Sequence, residues 1–195
     1  MPRTAKRKRV VSGRLVRFAV TLVAATPMGI VGQDGQSGCS DAVQGDLGGY
    51  VGRWQVESVF RASASAWATT RATVTITSEL TGCLLREDYQ GDRFGKPYAY
   101  LALWGANGLD PVRYQRVFAH SQHGLLTLRQ GWFVGDTLVL RSTTRVRGID
   151  VLEEDRISRP TVSGFTLSNR RSTDGGRSWI TTRRSRYVRK PEGGA

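Results

Sequence analysis

The sequence predicts an all-β protein: an antiparallel up-and-down β-barrel of about ten strands, preceded by a signal or anchor segment. Three observations carry this prediction. From Gly49 onward, apolar and polar residues alternate with period two, segment after segment, each closed by a turn signal. The 23 glycines among 195 residues disfavour a mostly helical chain. The alternating segments recur at intervals of roughly 8 to 15 residues without βαβ units, and that spacing calls for a sandwich or a barrel.

The elements follow in order. Arg3, Lys6, Arg7, Lys8, Arg9, Arg14 and Arg17 make the first 17 positions basic and free of acids. The uncharged, largely apolar run Phe18–Val31 comes next. A positive stretch before a short apolar one is the pattern of a secretory signal, with Val23-Ala24-Ala25 offering small residues for cleavage. Residues 1–31 are therefore expected to direct export to the periplasm or beyond. An uncleaved membrane anchor is the alternative, and a start at Met28 would keep the protein inside. Gly32–Gly48 is polar and glycine-rich and is expected to be a flexible linker. Within it, Gly38 before Cys39 suits a lipoprotein signal, but Gln36 breaks that pattern. Cys39 and Cys83 are the two cysteines and can close a disulfide in an oxidising compartment.

The barrel is expected over 49–190. Its first strand sets Trp54, Val56, Ser58 and Phe60 against Arg53, Gln55, Glu57 and Arg61. The second carries Ala72, Val74 and Ile76 on one face, and the third, Gly82–Tyr89, points Leu84 or Leu85 inward. Gln90–Pro97 reads as a loop. Tyr98, Tyr100, Ala102 and Trp104 share a face of the next strand, and Ala106–Pro111 is a turn. Tyr114, Arg116, Phe118 and His120 then share a face, before a turn at Gln122–Gly124. Val134-Gly135-Asp136 is a hairpin signal between Leu125–Phe133 and Asp136–Val146. Arg147–Asp150 turns again, and Val151–Ser158, Gly164–Arg171 and Trp179–Arg189 complete the set. Residues 191–195 are expected to be a disordered tail.

Two short motifs sharpen the picture. Gly52-Arg53-Trp54 opens the first strand and resembles the Gly-x-Trp of the lipocalin and calycin barrels. That resemblance implies that Trp54 plugs the closed end, with Arg186 or Arg189 from the last strand stacked on it by cation–π attraction. Ser172–Trp179 matches the Asp-box of sialidase-type propellers. A propeller needs several such boxes, so a single one marks a hairpin in which Asp174 caps backbone N–H groups, Gly175 and Gly176 supply positive φ, and Trp179 packs beneath. Together these features look like a bacterial family of unknown function with a lipocalin-like barrel.

Charge points in the same direction. The net charge is +13, but past position 17 there are 22 basic and 16 acidic residues, and 20 of the 22 are arginine. Nucleic acid is not the expected partner; an anionic membrane surface or a membrane-protein complex is the alternative. The acidic runs Glu87-Asp88 and Glu153-Glu154-Asp155 read as solvated faces paired with arginines on neighbouring strands. His120 and His123 have no third ligand at a telling spacing, so neither a metal nor a cofactor is expected. The aromatic faces are the better site: Trp104, Tyr100, Tyr114 and Phe118, with His120, are expected to bind a small apolar or amphipathic molecule. A solid barrel acting as an interaction subunit is the second reading. An enzyme, using His120 with a carboxylate such as Glu87, is the third.

Overall fold

A computed structural model describes residues 41–106 and 112–191. The segment expected to be a signal or anchor, Cys39, most of the expected linker and the residues from 192 onward lie outside the described residues, as does most of the turn after Ala106. Among the described residues no helix is long and apolar enough to cross a membrane.

Ten antiparallel strands close into a barrel. They are β1 (Gly52–Arg61), β2 (Trp67–Glu79), β3 (Leu84–Arg93), β4 (Lys96–Ala106) and β5 (Tyr114–His120). β6 (His123–Val134), β7 (Thr137–Val146), β8 (Ile149–Ser158), β9 (Gly164–Ser172) and β10 (Ile180–Arg189) follow. Each strand pairs with its sequence neighbours, and β10 returns to β1, with Trp54 opposite Arg189 and Phe60 opposite Arg183. Closure removes both sheet edges, which would otherwise be open to pairing with other chains.

The alternation sends the expected faces inward. Trp54, Val56, Ser58 and Phe60 are buried on β1, Val74 and Ile76 on β2, and Tyr98, Tyr100, Ala102 and Trp104 on β4. Of the two leucines offered for the third strand, Leu85 and not Leu84 is fully buried.

Three local features differ from the sequence reading. The expected loop Gln90–Pro97 is a hairpin with a two-residue turn: Arg93 pairs with Lys96, and Phe94 and Gly95 take positive φ of 56° and 73°. That is the turn whose twist matches two antiparallel strands. The last part of the expected linker is a helix, α1 (Asp41–Gly48). Its Leu47, together with Tyr50, is buried in the barrel's core. Three of the five carboxylates in the two acidic runs are not solvated: Glu87, Glu154 and Asp155 are fully buried, while Asp88 and Glu153 stay partly exposed. The arginine pairing expected of them does occur. Glu154, on the outer face, sits beneath Arg141, Arg156 and Arg170 at 2.7, 3.4 and 2.6 Å.

Candidate functional site

The two ends of the barrel differ. At the end where β1 starts, α1 and the residues after it close the interior. The Tyr50 ring meets Trp104 at 5.5 Å and Phe165 at 5.1 Å, and its hydroxyl donates to the Ser158 carbonyl. Trp54 donates its indole N–H to the Tyr50 carbonyl at 2.9 Å and packs edge-on against Phe165. The Arg189 guanidinium lies 4.3 Å over the Trp54 ring and donates to the carbonyls of Val51 and Gly49. Gly52 makes this possible. Its φ is +144°, and a Cβ there would stand 2.5 Å from the arginine's Nη1. Arg186 is exposed on the outer face, so of the two arginines suggested by the sequence it is Arg189 that meets Trp54.

Midway along the barrel lies a network of buried charge. Glu87 accepts from the Tyr100 hydroxyl, from the Trp104 indole at 2.7 Å, and from Arg116 at 2.9 Å. Arg116 also reaches Asp155 at 3.3 Å. Asp155 accepts in turn from Arg129 and Asn169, and Arg129 bridges on to Glu153 at 2.7 Å. Charges taken out of water survive only when paired and hydrogen-bonded in this way. Burial alone would lower the basicity of Arg116, but the Glu87 charge beside it raises it above its ordinary value. Burial, then the Glu87 carboxylate, lifts Tyr100 well above its usual range and pushes Tyr187 up to about 12.

Above this network the barrel opens. A cavity of about 410 Å³ occupies the far end. Phe60, Tyr98, Tyr100 and Phe118 form its apolar walls, and His120 lies at its edge with its ring 5.8 Å from that of Tyr98. Six arginines line it (Arg61, Arg93, Arg116, Arg129, Arg171 and Arg183), against the single carboxylate of Glu153. Arg116 and Arg129 are neutralised from below. Arg183 is not. Among the described residues its hydrogen bonds go to the Ser185 and Ser58 hydroxyls, at 2.7 and 3.5 Å, and its plane lies near the Phe60 and Tyr89 rings. Arg93 contacts the rings of Phe60, Phe94 and Tyr98 and has no carboxylate partner among the described residues. Arg129 keeps its Nε donor buried and without an acceptor among them. The mouth is therefore aromatic in its walls and in excess of positive charge.

The residues singled out from the sequence divide between the two ends. Tyr100, Phe118 and His120 line the mouth cavity. Trp104 and Tyr114 do not: Trp104 belongs to the closed end and the Glu87 network, and Tyr114 packs on Phe133 and donates to Asp46 of α1. His120 and His123 are register partners across the β5–β6 hairpin. Glu87 has its oxygens taken up by Tyr100, Trp104 and Arg116. Among the described residues no group of three potential ligands is placed to hold a metal ion.

The Asp-box forms the β9–β10 connection. Ser172 and the Ser178 N–H and hydroxyl all donate to the Asp174 carboxylate, and these bonds hold its pKa well below the usual carboxylate range. Gly175 and Gly176 take φ of 74° and 89°, and Trp179 donates to the Gly176 carbonyl beneath Arg170. Cys83 is not a free thiol; Cys39, its expected partner, lies outside the described residues.

The arginines of the mouth were missed as site residues. Arg116, Arg129 and Arg183 sit on inward positions of their strands, and that alternation is the signal that would have placed them there.

No known protein family matches the chain, and no curated protein matches it. Among solved structures the fold is similar to the crystal structure of Rv2717c from M. tuberculosis, with a TM-score of 0.54 and 15% identity over 78% of this chain and 99% of that one. At that identity the likeness is one of fold.

Proposed function

We propose that the protein is a binding barrel for a small amphipathic molecule with an anionic head and an apolar or aromatic body, held at the open end. The observation that carries this reading is the arginine excess in the mouth: Arg183 and Arg93 stand in an aromatic-walled cavity with no carboxylate among the described residues to neutralise them. A guanidinium held by rings and hydroxyls is ready for a carboxylate, sulfonate or phosphate, while the walls take the rest of the molecule. This sharpens the expectation of an apolar or amphipathic ligand by giving it a charge. The Gly52, Trp54 and Arg189 arrangement supports the lipocalin-like reading of the closed end. The chain's acid–base residues support an enzyme less well, since Glu87 is engaged in the buried network.

The test is a titration with anilinonaphthalene sulfonate beside its uncharged relative, N-phenylnaphthylamine, both read by fluorescence. The anionic probe is expected to saturate and to bind about tenfold more tightly than the neutral one. Arg183→Met and Arg93→Met are each expected to weaken the anionic probe by about tenfold and to leave the neutral one nearly unchanged. Methionine keeps the length and apolar body of the side chain, so folding, followed by circular dichroism, should persist. Equal affinity for the two probes, or indifference of the anionic probe to both substitutions, would overturn the reading.

A further inference from the structure

We infer that the rim of the open end is a docking surface for an anionic lipid bilayer. All five connections at that end (β1–β2, β3–β4, β5–β6, β7–β8 and β9–β10) place a large apolar residue in solvent. Trp67 stands at the start of β2 opposite Arg61, and Phe94 at the tip of the β3–β4 turn. Leu125 and Leu126 follow the β5–β6 turn, and Ile149 and Ile180 begin β8 and β10. All six are exposed. Burying them further would be favourable, and among the described residues none is covered beyond partial contacts such as Arg184 over Trp67.

Charge chooses the occupant. Interleaved with these apolar tips are Arg61, Lys96, Arg147 and Arg177, with Arg93 and Arg171 just inside the mouth and Arg145 beside the β7–β8 turn. The carboxylates at the same level are fewer: Asp92, Asp150 and Asp174 at the rim, and Glu153 inside the mouth. Asp150 lies 3.9 Å from Arg145, and Asp174 is held within its own turn. A protein partner would have to match five separate tips, whereas a lipid interface accepts a ring of them without a specific shape. Apolar and aromatic tips entering the headgroup layer, with cations meeting anionic phosphates, is the physics of interfacial binding. The opposite end also exposes apolar residues, Leu80, Val134 and Val162, and one aromatic, Trp132, set two residues back from the end of β6. The surface is independent of the ligand reading, although a barrel docked in this way would present its arginine-lined mouth to the bilayer.

The experiment is flotation of the full chain with phosphatidylcholine vesicles, with and without about one-third phosphatidylglycerol. Binding is expected to the anionic vesicles alone and to fall several-fold when salt is raised, as the surface charges are screened. Because the first 17 residues are themselves basic, binding alone does not locate the surface. The double substitution Trp67→Ser with Phe94→Ser is expected to lower binding at least about fivefold while the thermal transition stays in place, both positions being exposed. Brominated lipids locate the contact further. They should quench part of the tryptophan emission, and that part should vanish in Trp67→Phe but persist in Trp132→Phe, which alters an exposed tryptophan at the other end of β6. Equal binding to neutral vesicles, binding unchanged by the double substitution, or quenching that survives Trp67→Phe would overturn the proposal. Loss of probe binding in the Arg183 variant with vesicle binding intact would separate the two readings.

Discussion

At the scale of single residues, position decides what an arginine does here. Arg189 is exposed, yet it ties the last strand to the start of the first: its plane covers Trp54 while its fork reaches the carbonyls of Gly49 and Val51. Lysine has neither the plane nor the fork. Arg189→Lys is therefore expected to cost about 1 kcal/mol, lowering the midpoint of thermal unfolding by about 2–4 °C. Arg186, three residues earlier and pointing outward, should tolerate the same change within the error of the measurement. Buried charge is less forgiving. Glu87→Ala would leave Arg116, Tyr100 and Trp104 without their shared acceptor, and a loss of about 3–5 kcal/mol is expected in urea denaturation. A loss under about 1 kcal/mol would show that Asp155 alone can hold Arg116.

At the scale of elements, the helix and the tight hairpin show where sequence reasoning ends. The strands were legible because each has one wet and one dry face, and a period of two survives even where the residues are modest in hydrophobicity. α1 was not, because DAVQGDLG has two glycines and no apolar stripe. Tertiary contacts hold it in place: Leu47 enters the core, and Asp46 accepts from the Tyr114 hydroxyl and from Arg159 at 2.7 Å. The Phe94-Gly95 turn was hidden for a different reason, since the polar, glycine-bearing residues around it have the composition of a loop. The mouth was half legible. Alternation placed Tyr100, Phe118 and His120 on one wall, but the buried carboxylates were read as solvated because sequence alone does not show which charges have partners across the barrel. If α1 is held by Asp46, Asp46→Ala should release it before the barrel melts. Limited proteolysis would then cut within 41–48 in the variant and not in the parent, while the strand signal in circular dichroism remains. Equal protection of the two proteins would mean that Leu47 and Tyr50 suffice.

At the scale of the whole molecule, the interior sets the limits of pH stability on both sides. On the acid side, Asp46 and Glu154 are held below their ordinary values. Burial opposes this, but hydrogen bonds from Tyr114 and Arg159 to Asp46, and from Arg170 and Arg141 to Glu154, outweigh it. Asp174 is lowered by its own turn. A carboxyl that binds its proton less readily when folded lends stability above its unfolded value, near 4, and that stability is lost as pH falls through the folded value. The alkaline side rests on tyrosine. All six tyrosines are buried, and Tyr50, Tyr98, Tyr100, Tyr114 and Tyr187 are each raised above 10, by burial first. A group whose folded value is raised gives stability that is complete below the unfolded value and disappears as pH climbs past it, so the fold weakens from about pH 10 upward. The two limbs predict a plateau between roughly pH 4 and pH 10. They also predict how the alkaline limb ends. In an ordinary protein, exposed tyrosines ionise gradually near pH 10 while the fold persists. Here the phenolate absorbance of these five near 295 nm should rise in one step, coincident with loss of the strand signal. A gradual rise at pH 10 with the strand signal intact would mean that water reaches the lumen tyrosines in the folded state, and the barrel would then be wetter than its packing implies.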